Sequence, residues 1–267
     1  MIAASQPDTT DLTDLAHRMA DASAAVILPY FRVGTGVEDK VGKIGFDPVT
    51  AADRDAETVM RAMVEEAHPD HTFIGEEFGT REGSSDFAWV VDPIDGTRSF
   101  IIGVPLWGTL IGLMRGGRPL VGLMNQPFTG ERFVAGPDGA SYLRAGESIP
   151  LRTSATTRIE DAHLGSTNPH LFGDGFERDT FERIRDSVRM TRYGGDCYFY
   201  CMVAAGHLDL VVECGLNAYD IVGLIPIIVG AGGVVTTWDG RPATDGGRIV
   251  AAANQDLHQK ALDLLNA

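Results

Sequence analysis

Apolar residues recur at helical spacing over 11–31, where Leu15, Met19, Ala22, Val26 and Ile27 share a face and Pro29 marks the last turn or the exit. A glycine-dotted stretch over 34–45 predicts a loop or hairpin. Thr50 opens a second helical run through Val59, Met63 and Val64, ending near His68 and Pro69. Thr72, Phe73 and Ile74 form a short strand, 79–86 reads as a polar loop, and 87–91 is an apolar strand that runs straight into Asp92. Strands then follow at 106–114, 120–125 and 131–135, separated by turn signals such as Arg115-Gly116-Gly117 and Pro137-Asp138-Gly139. Strand and helix alternate afterwards: strand 162–166, helix 175–187, strand 188–192, a long helix over 197–205, strand 208–213, helix 220–230, strands 234–237 and 249–254, and a terminal helix. The polar stretch 146–157 divides an N-terminal half, 1–150, from a C-terminal half, 151–267, and the two are expected to pack as one unit.

The 267 residues suffice for a well-buried core, and 44% hydrophobic with 22% charged residues are ordinary globular values. The formal net charge of -15 repels phosphate backbones and argues against a nucleic-acid partner. It also means that an anionic ligand needs local cations, which a bound metal could supply. Cys197, Cys201 and Cys214 are too few and too irregularly spaced for a disulfide framework or a zinc site, and read as small buried hydrophobes. The N-terminus lacks a basic region and an apolar run, and the longest apolar stretch, 221–235, is broken by Pro226 and several glycines. The expectation is a cytoplasmic protein with no membrane partner.

Chemistry concentrates where apolar strands end in acids. Trp89-Val90-Val91 delivers Asp92, Pro93 stiffens the exit, and Asp95 follows at a spacing that lets one tight turn aim both carboxylates at a point. Gly96 permits positive φ, and Thr97 can open a helix whose free N–H groups receive a phosphate. Gly75-Glu76-Glu77 and Val211-Val212-Glu213 repeat the strand-to-acid form, and Asp220 opens an apolar helix. Each acid has a bland alternative: a surface turn for Asp92 and Asp95, a solvated pair for Glu76 and Glu77, an N-cap for Asp220, a first-turn acid for Asp53. Carboxylates converging on one cleft would need a hard cation such as Mg²⁺ or Mn²⁺, and spacing alone leaves convergence open.

Taken together these segments resemble the inositol monophosphatase family of lithium-sensitive, metal-dependent phosphatases. The resemblance is carried by Trp89 to Phe100 with Asp92-Pro93-Ile94-Asp95-Gly96-Thr97 at its centre, by Asn217-Ala218-Tyr219-Asp220-Ile221-Val222-Gly223, by Gly230-Ala231-Gly232-Gly233, and by the lead-in motifs ending at Asp53 and Glu77. It spans nearly the whole chain. It implies an α+β fold, a layered αβαβα sandwich of the inositol monophosphatase and fructose-1,6-bisphosphatase type, usually a homodimer. By position it implies metal ligation by Glu76, Asp92, Asp95, Asp220 and the Ile94 carbonyl, with two or three Mg²⁺ per subunit and Mn²⁺ as a substitute. Asp53 and Thr97 would orient and activate the attacking water, the Gly96 and Thr97 amides would hold phosphate, and Glu77 would hold a water. The implied reaction is in-line, two-metal phosphoryl transfer to water.

For the substrate, the stretches 95–105, 194–198 and 206–213 are similar to the histidinol-phosphate phosphatase branch of the family. Histidinol phosphate carries an amine and an imidazole, which Asp196 and Glu213 could pair with while Asn217 bonds the ring. The bland alternative for Asp196 is a helix N-cap. An inositol phosphate or a broader set of small phosphate monoesters is the alternative substrate reading, and a non-catalytic regulatory protein ranks below both. Arg98 replaces the lysine or threonine expected after Thr97, and in the loop that carries Lys40 and Lys43, Lys43 and Asp47 are placed near the site mouth.

Overall fold

The computed structural model describes residues 9–33, 37–39 and 48–267, so Lys40, Lys43 and Asp47 lie outside the described residues. The first amphipathic segment folds as α1 (Thr10–Ile27), followed by a 3₁₀ turn carrying Pro29. Two short strands, β1 (Val37–Asp39) and β2 (Pro48–Thr50), pair with each other and lead into α2 (Ala51–Ala67). The chain then forms β3 (Thr72–Gly75), β4 (Gly79–Arg81), β5 (Phe87–Asp95), the short helix α3 (Thr97–Ile101) and the meander β6 (Gly108–Arg115), β7 (Arg118–Gln126), β8 (Glu131–Gly136), β9 (Gly139–Arg144) and β10 (Glu147–Pro150). These strands make one eight-stranded sheet, ordered β10-β9-β8-β7-β6-β5-β3-β4, with β3 and β5 its parallel pair.

The second half contributes β11 (His163–Ser166), α4 (Phe176–Arg185), β12 (Met190–Tyr193), α5 (Cys197–Ala204), β13 (Leu210–Leu216), α6 (Ala218–Ile221), α7 (Ile225–Gly230), β14 (Val234–Thr237), β15 (Gly247–Ala252) and α8 (Gln255–Leu265). Its sheet has five strands in the order β12-β11-β13-β15-β14.

Burial of apolar faces stacks these elements into five layers. Leu15 and Met19 of α1 and Met60 and Val64 of α2 cover Trp89, Val91, Leu113 and Leu123 on one face of the large sheet. Its other face (Leu110, Met124, Phe133) shares a core with Cys201 and Val203 of α5, Ile227 of α7, and Val211, Ile249 and Ala251 of the small sheet. The far face of the small sheet (Leu210, Val212, Val250, Ala252) is closed by Phe181 and Ile184 of α4 and Leu257 and Ala261 of α8. The αβαβα sandwich is therefore present, and the middle core draws on both halves of the chain. All three cysteines are buried and unbridged, as their sparse spacing suggested.

Several elements differ from the pattern read along the sequence. The polar segment 79–86 contains β4, which pairs Arg81 with Phe73. The stretch 146–157 begins with β10, a hairpin partner of β9. The expected helix 220–230 is two helices, with the chain turning between α6 and α7 and Pro226 at the start of the second. The helix after Asp196 has 8 residues and is short.

The break between α6 and α7 is seated on glycine. Gly112 and Gly122 face each other across β6 and β7. A Cβ on Gly122 would lie 2.3 Å from the Gly223 carbonyl oxygen, and one on Gly112 would lie 2.9 Å from the Gly223 nitrogen. Bare backbone at both positions lets the 222–223 segment rest directly on the sheet, which brings the acid at the start of α6 against β5.

Candidate active site

In a regular strand, residues three apart point to opposite faces. Asp92 and Asp95 escape this because β5 bulges between them: Asp92 stands opposite Leu110 and Asp95 opposite Gly108, so three steps on β5 match two on β6. The strand thus runs past Asp92, where the sequence suggested it would end. The bulge is tied down on all sides. Thr109 donates its hydroxyl proton to the Pro93 carbonyl at 2.8 Å, the Ile94 amide donates to Asp92 Oδ1 at 3.0 Å, and the Thr97 hydroxyl donates to the Ile94 carbonyl at 3.0 Å. Gly96 then caps α3 at φ 83°, where a Cβ would also lie 2.7 Å from the Leu106 carbonyl.

The remaining acids arrive from other layers. Asn217 and Asp220 form a capping box on α6, in which the Asn217 amide donates to Asp220 Oδ2 at 2.6 Å. One carboxylate oxygen from each of Asp92, Asp95 and Asp220 lies within 4.8 Å of the others. Glu76, in the turn after β3, joins them on the wall of a cavity of about 330 Å³, which Asp196 and Glu213 also line. Among the described residues this wall carries six acids and one cation, Arg98.

Such an arrangement is unfavourable without a compensating charge. Burial first, then the charges of Glu76, Asp95 and Asp220, hold the Asp92 carboxyl well above the usual carboxylate range. Burial raises Asp95 likewise, with Asp196 and Asp220 adding to it, while the Cys197 amide that donates to Asp95 Oδ2 at 2.7 Å opposes the rise. Asp220 is pushed up to about 7, chiefly by burial. Three carboxylate oxygens within reach of one ion, from buried Asp92 and half-buried Asp95 and Asp220, with no nitrogen or sulfur donor among them, fit a hard divalent cation.

Asp53 is 1% exposed and sits at the third position of α2 in a second capping box. Its Oδ2 accepts from the Thr50 amide at 2.8 Å and the Thr50 hydroxyl at 2.6 Å. Burial lifts it to about 7, and the charges of Glu76 and Glu77 add to the rise. It does not line the cavity wall, and it is not hydrogen-bonded to Thr97, whose proton goes to Ile94.

Asp196, which lines the same cavity, stands at the N-cap of α5 but makes no side-chain cap. The Asp95 carboxylate takes the first amide of that helix, and Asp196 Oδ2 instead accepts from the Ser99 hydroxyl at 3.3 Å. Its φ of 43° is rare for a residue with a Cβ. Burial raises it to about 6 against the opposing pull of Ser99, Thr167 and Arg98. Glu213 faces the middle layer in step with Val211 on β13. Its Oε1 accepts from the Thr167 amide at 2.6 Å and its Oε2 from the Tyr200 hydroxyl at 2.9 Å. Burial lifts it to about 7 despite both bonds. Asn217 lines the same wall and is exposed. Thr167, Tyr200 and the Cys197 amide were not singled out in the sequence. Two of these three contributions are backbone N–H groups, which no side-chain pattern reveals, and Tyr200 reads as an ordinary core aromatic on α5.

The family profile of inositol monophosphatases matches residues 8–267. The chain is 42% identical over 260 residues to the chloroplastic bifunctional phosphatase IMPL2 of Arabidopsis thaliana, covering 93% of this chain and 73% of that protein. It is 36% identical over 269 residues to a histidinol-phosphatase of Streptomyces coelicolor, covering 97% and 98% respectively. A solved inositol monophosphatase from Zymomonas mobilis shares the fold with a TM-score of 0.85 at 40% identity, over 98% of this chain and 100% of that one. The cluster of acids inside this layered fold could hold a metal ion, and the chain belongs to the inositol monophosphatase family, metal-dependent hydrolases of small phosphate monoesters.

Proposed function

We propose that this phosphatase uses Mg²⁺ to hydrolyse histidinol phosphate to histidinol and phosphate. Glu76, Asp92, Asp95, Asp220 and the Ile94 carbonyl would hold the cations. Bound there, such ions supply an activated water and neutralise charge on the phosphate. Gly96 and Thr97 line the same cavity, and their amides would receive phosphate oxygens. The Thr97 oxygen, its proton committed to Ile94, offers lone pairs to orient the attacking water. Asp53, lifted to about 7, has the proton affinity of a general base near neutral pH. Homodimeric assembly and lithium inhibition, implied by the family resemblance, belong to the same reading.

The observation that carries the substrate is the surplus of acids. Once cations are matched to Glu76, Asp92, Asp95 and Asp220, the cavity still holds Asp196 and Glu213 against Arg98 alone among the described residues. A leaving group with an ammonium and an imidazole meets that surplus, and the histidinol-phosphatase of Streptomyces coelicolor at 36% identity supports the choice. Inositol phosphate is the second reading, favoured by the Zymomonas mobilis relative at 40% identity, because the same acids can accept from hydroxyls. Steady-state kinetics on both substrates decides. We expect kcat/KM for histidinol phosphate to exceed that for inositol 1-phosphate, and Asp196→Asn to lower the first by about 10- to 100-fold, the worth of one charged hydrogen bond. A higher kcat/KM for inositol 1-phosphate would overturn the assignment.

A further inference from the structure

Glu57 has no role in the site described so far, yet it is a carboxylate at 0% exposure on the inner face of α2. Isolated buried charges are costly, so its partners matter. Its Oε2 accepts from the Glu77 amide at 2.7 Å, and its Oε1 from the Phe78 amide at 3.2 Å. Arg61, one helical turn on, donates Nη2 to Glu57 Oε1 at 2.8 Å and to the Gly79 carbonyl at 2.8 Å, with its guanidinium carbon 4.7 Å from the Phe73 ring centre. Gly75 pairs with Gly79 across β3 and β4, so Glu76, Glu77 and Phe78 form the connecting loop. The Glu57 carboxylate plugs the underside of that loop. A Cβ on Gly75 would lie 2.0 Å from Glu57 Oε1, which explains why the residue before Glu76 is glycine.

We propose that Glu57 is a positioning residue for Glu76. Its two oxygens, clamped on successive loop amides, fix the backbone from which Glu76 reaches the acid cluster, and Arg61 supports the clamp from behind. A three-residue loop with an exposed Phe78 has little packing of its own to define its shape. The carboxylate replaces packing with two charge-assisted hydrogen bonds. Anchors of this kind, one step removed from a ligand, typically govern cation affinity by about 10- to 100-fold. The inference rests on Glu76 being a cation ligand, as proposed above.

The test is Mg²⁺ titration by calorimetry into cation-stripped protein, with thermal midpoints measured in chelator. Glu57→Gln keeps one acceptor but turns an NH₂ group toward the second amide. It should raise the Mg²⁺ dissociation constant about 10-fold or more, and saturating Mg²⁺ should recover most of kcat. Arg61→Ala leaves the clamp on the loop, so it should lower the thermal midpoint while changing the dissociation constant by less than about 3-fold. Glu57→Asp, too short to span both amides, should fall on the weak-binding side and serves as the reading if Glu57→Gln does not fold. Unchanged Mg²⁺ affinity in the Glu57 variants, or equal weakening in Arg61→Ala, would reduce Glu57 to a stability element and overturn the proposal. Glu76→Gln, run alongside, separates the two levels: if it too leaves Mg²⁺ affinity unchanged, the ligand assignment of Glu76 fails instead.

Discussion

Helices α2 and α6 begin alike. In each, an aspartate at the third position turns back to accept the amide of the N-cap residue, Asp53 from Thr50 at 2.8 Å and Asp220 from Asn217 at 2.6 Å. Burial lifts both to about 7. Each also takes the N-cap side chain on the same oxygen, Asp53 from the Thr50 hydroxyl at 2.6 Å and Asp220 from Asn217 Nδ2 at 3.4 Å. The two part in their surroundings: Asp53 lies off the cavity wall near Glu76 and Glu77. Asp220 opens a helix of only 4 residues and lies among Asp92 and Asp95. A capping box therefore fixes the orientation of a carboxylate locally, while its neighbours in space decide whether it joins the acid cluster on the cavity wall or lies behind it.

The largest effect should come from breaking the Asp220 side of the pair. Asp220→Asn keeps an acceptor for the cap but removes one charge from the trio, and kcat/KM should fall by about 10³-fold or more, the scale of several kcal/mol of lost cation-borne stabilisation. Mg²⁺ affinity should fall with it, measured by calorimetry. Asp53→Asn should instead lower kcat by about 10²-fold at saturating Mg²⁺, as loss of a general base does, with Mg²⁺ affinity little changed. Equal weakening of Mg²⁺ binding in both variants would erase the distinction drawn between them.

Stability against pH offers a third handle. Both acids titrate near 3.8 when unfolded and near 7 when folded, so between those values the folded chain holds more protons than the unfolded one. Their contribution is fully present below the lower value and is lost as pH rises through the upper one. Cation-stripped protein should therefore melt higher at about pH 5 than at about pH 8, and Mg²⁺ should restore the midpoint more at pH 8. A stripped midpoint that rises across this range would contradict the electrostatics. The smallest effects belong to the caps themselves. Thr50→Ala loses a buried hydroxyl donor and should cost about 1 kcal/mol in denaturant melts, whereas Asn217→Ala at an exposed cap should cost about half of that.

Much of this was legible from the chain. The periodic apolar faces of α1 and α2, the strands feeding Asp92 and Glu76, and the acids themselves follow from residue type and spacing. What escaped was geometry that only neighbours create. Asp92 and Asp95 share a cavity because β6 offers one residue fewer than β5, a mismatch that neither strand encodes alone. The strand β4 lies in a polar, glycine-flanked segment with no alternation, and β10 is an edge strand exposed along its length. The proposed partnership of Asp53 with Thr97 runs through no direct bond, since the Thr97 proton goes to the Ile94 carbonyl and Asp53 Oδ2 bonds Thr50. Asp196 reads as an N-cap by position, but its carboxylate accepts from Ser99, while the Tyr198 and Phe199 amides it would cap go to the Gly195 and Asp196 carbonyls.

The seat of the 222–223 segment on Gly112 and Gly122 sets a manufacturing tolerance for the site. A single methyl group added at Gly122 would have to move its nearest neighbour from 2.3 Å to the 3.4 Å where ordinary contact begins, a displacement of about 1.1 Å. Cation–oxygen distances accept only about 0.2 Å of error. The acid at the head of α6 would be carried along with its support, several times out of specification. Alanine at Gly122 touches no acid of the cluster, and it should detune the cluster all the same.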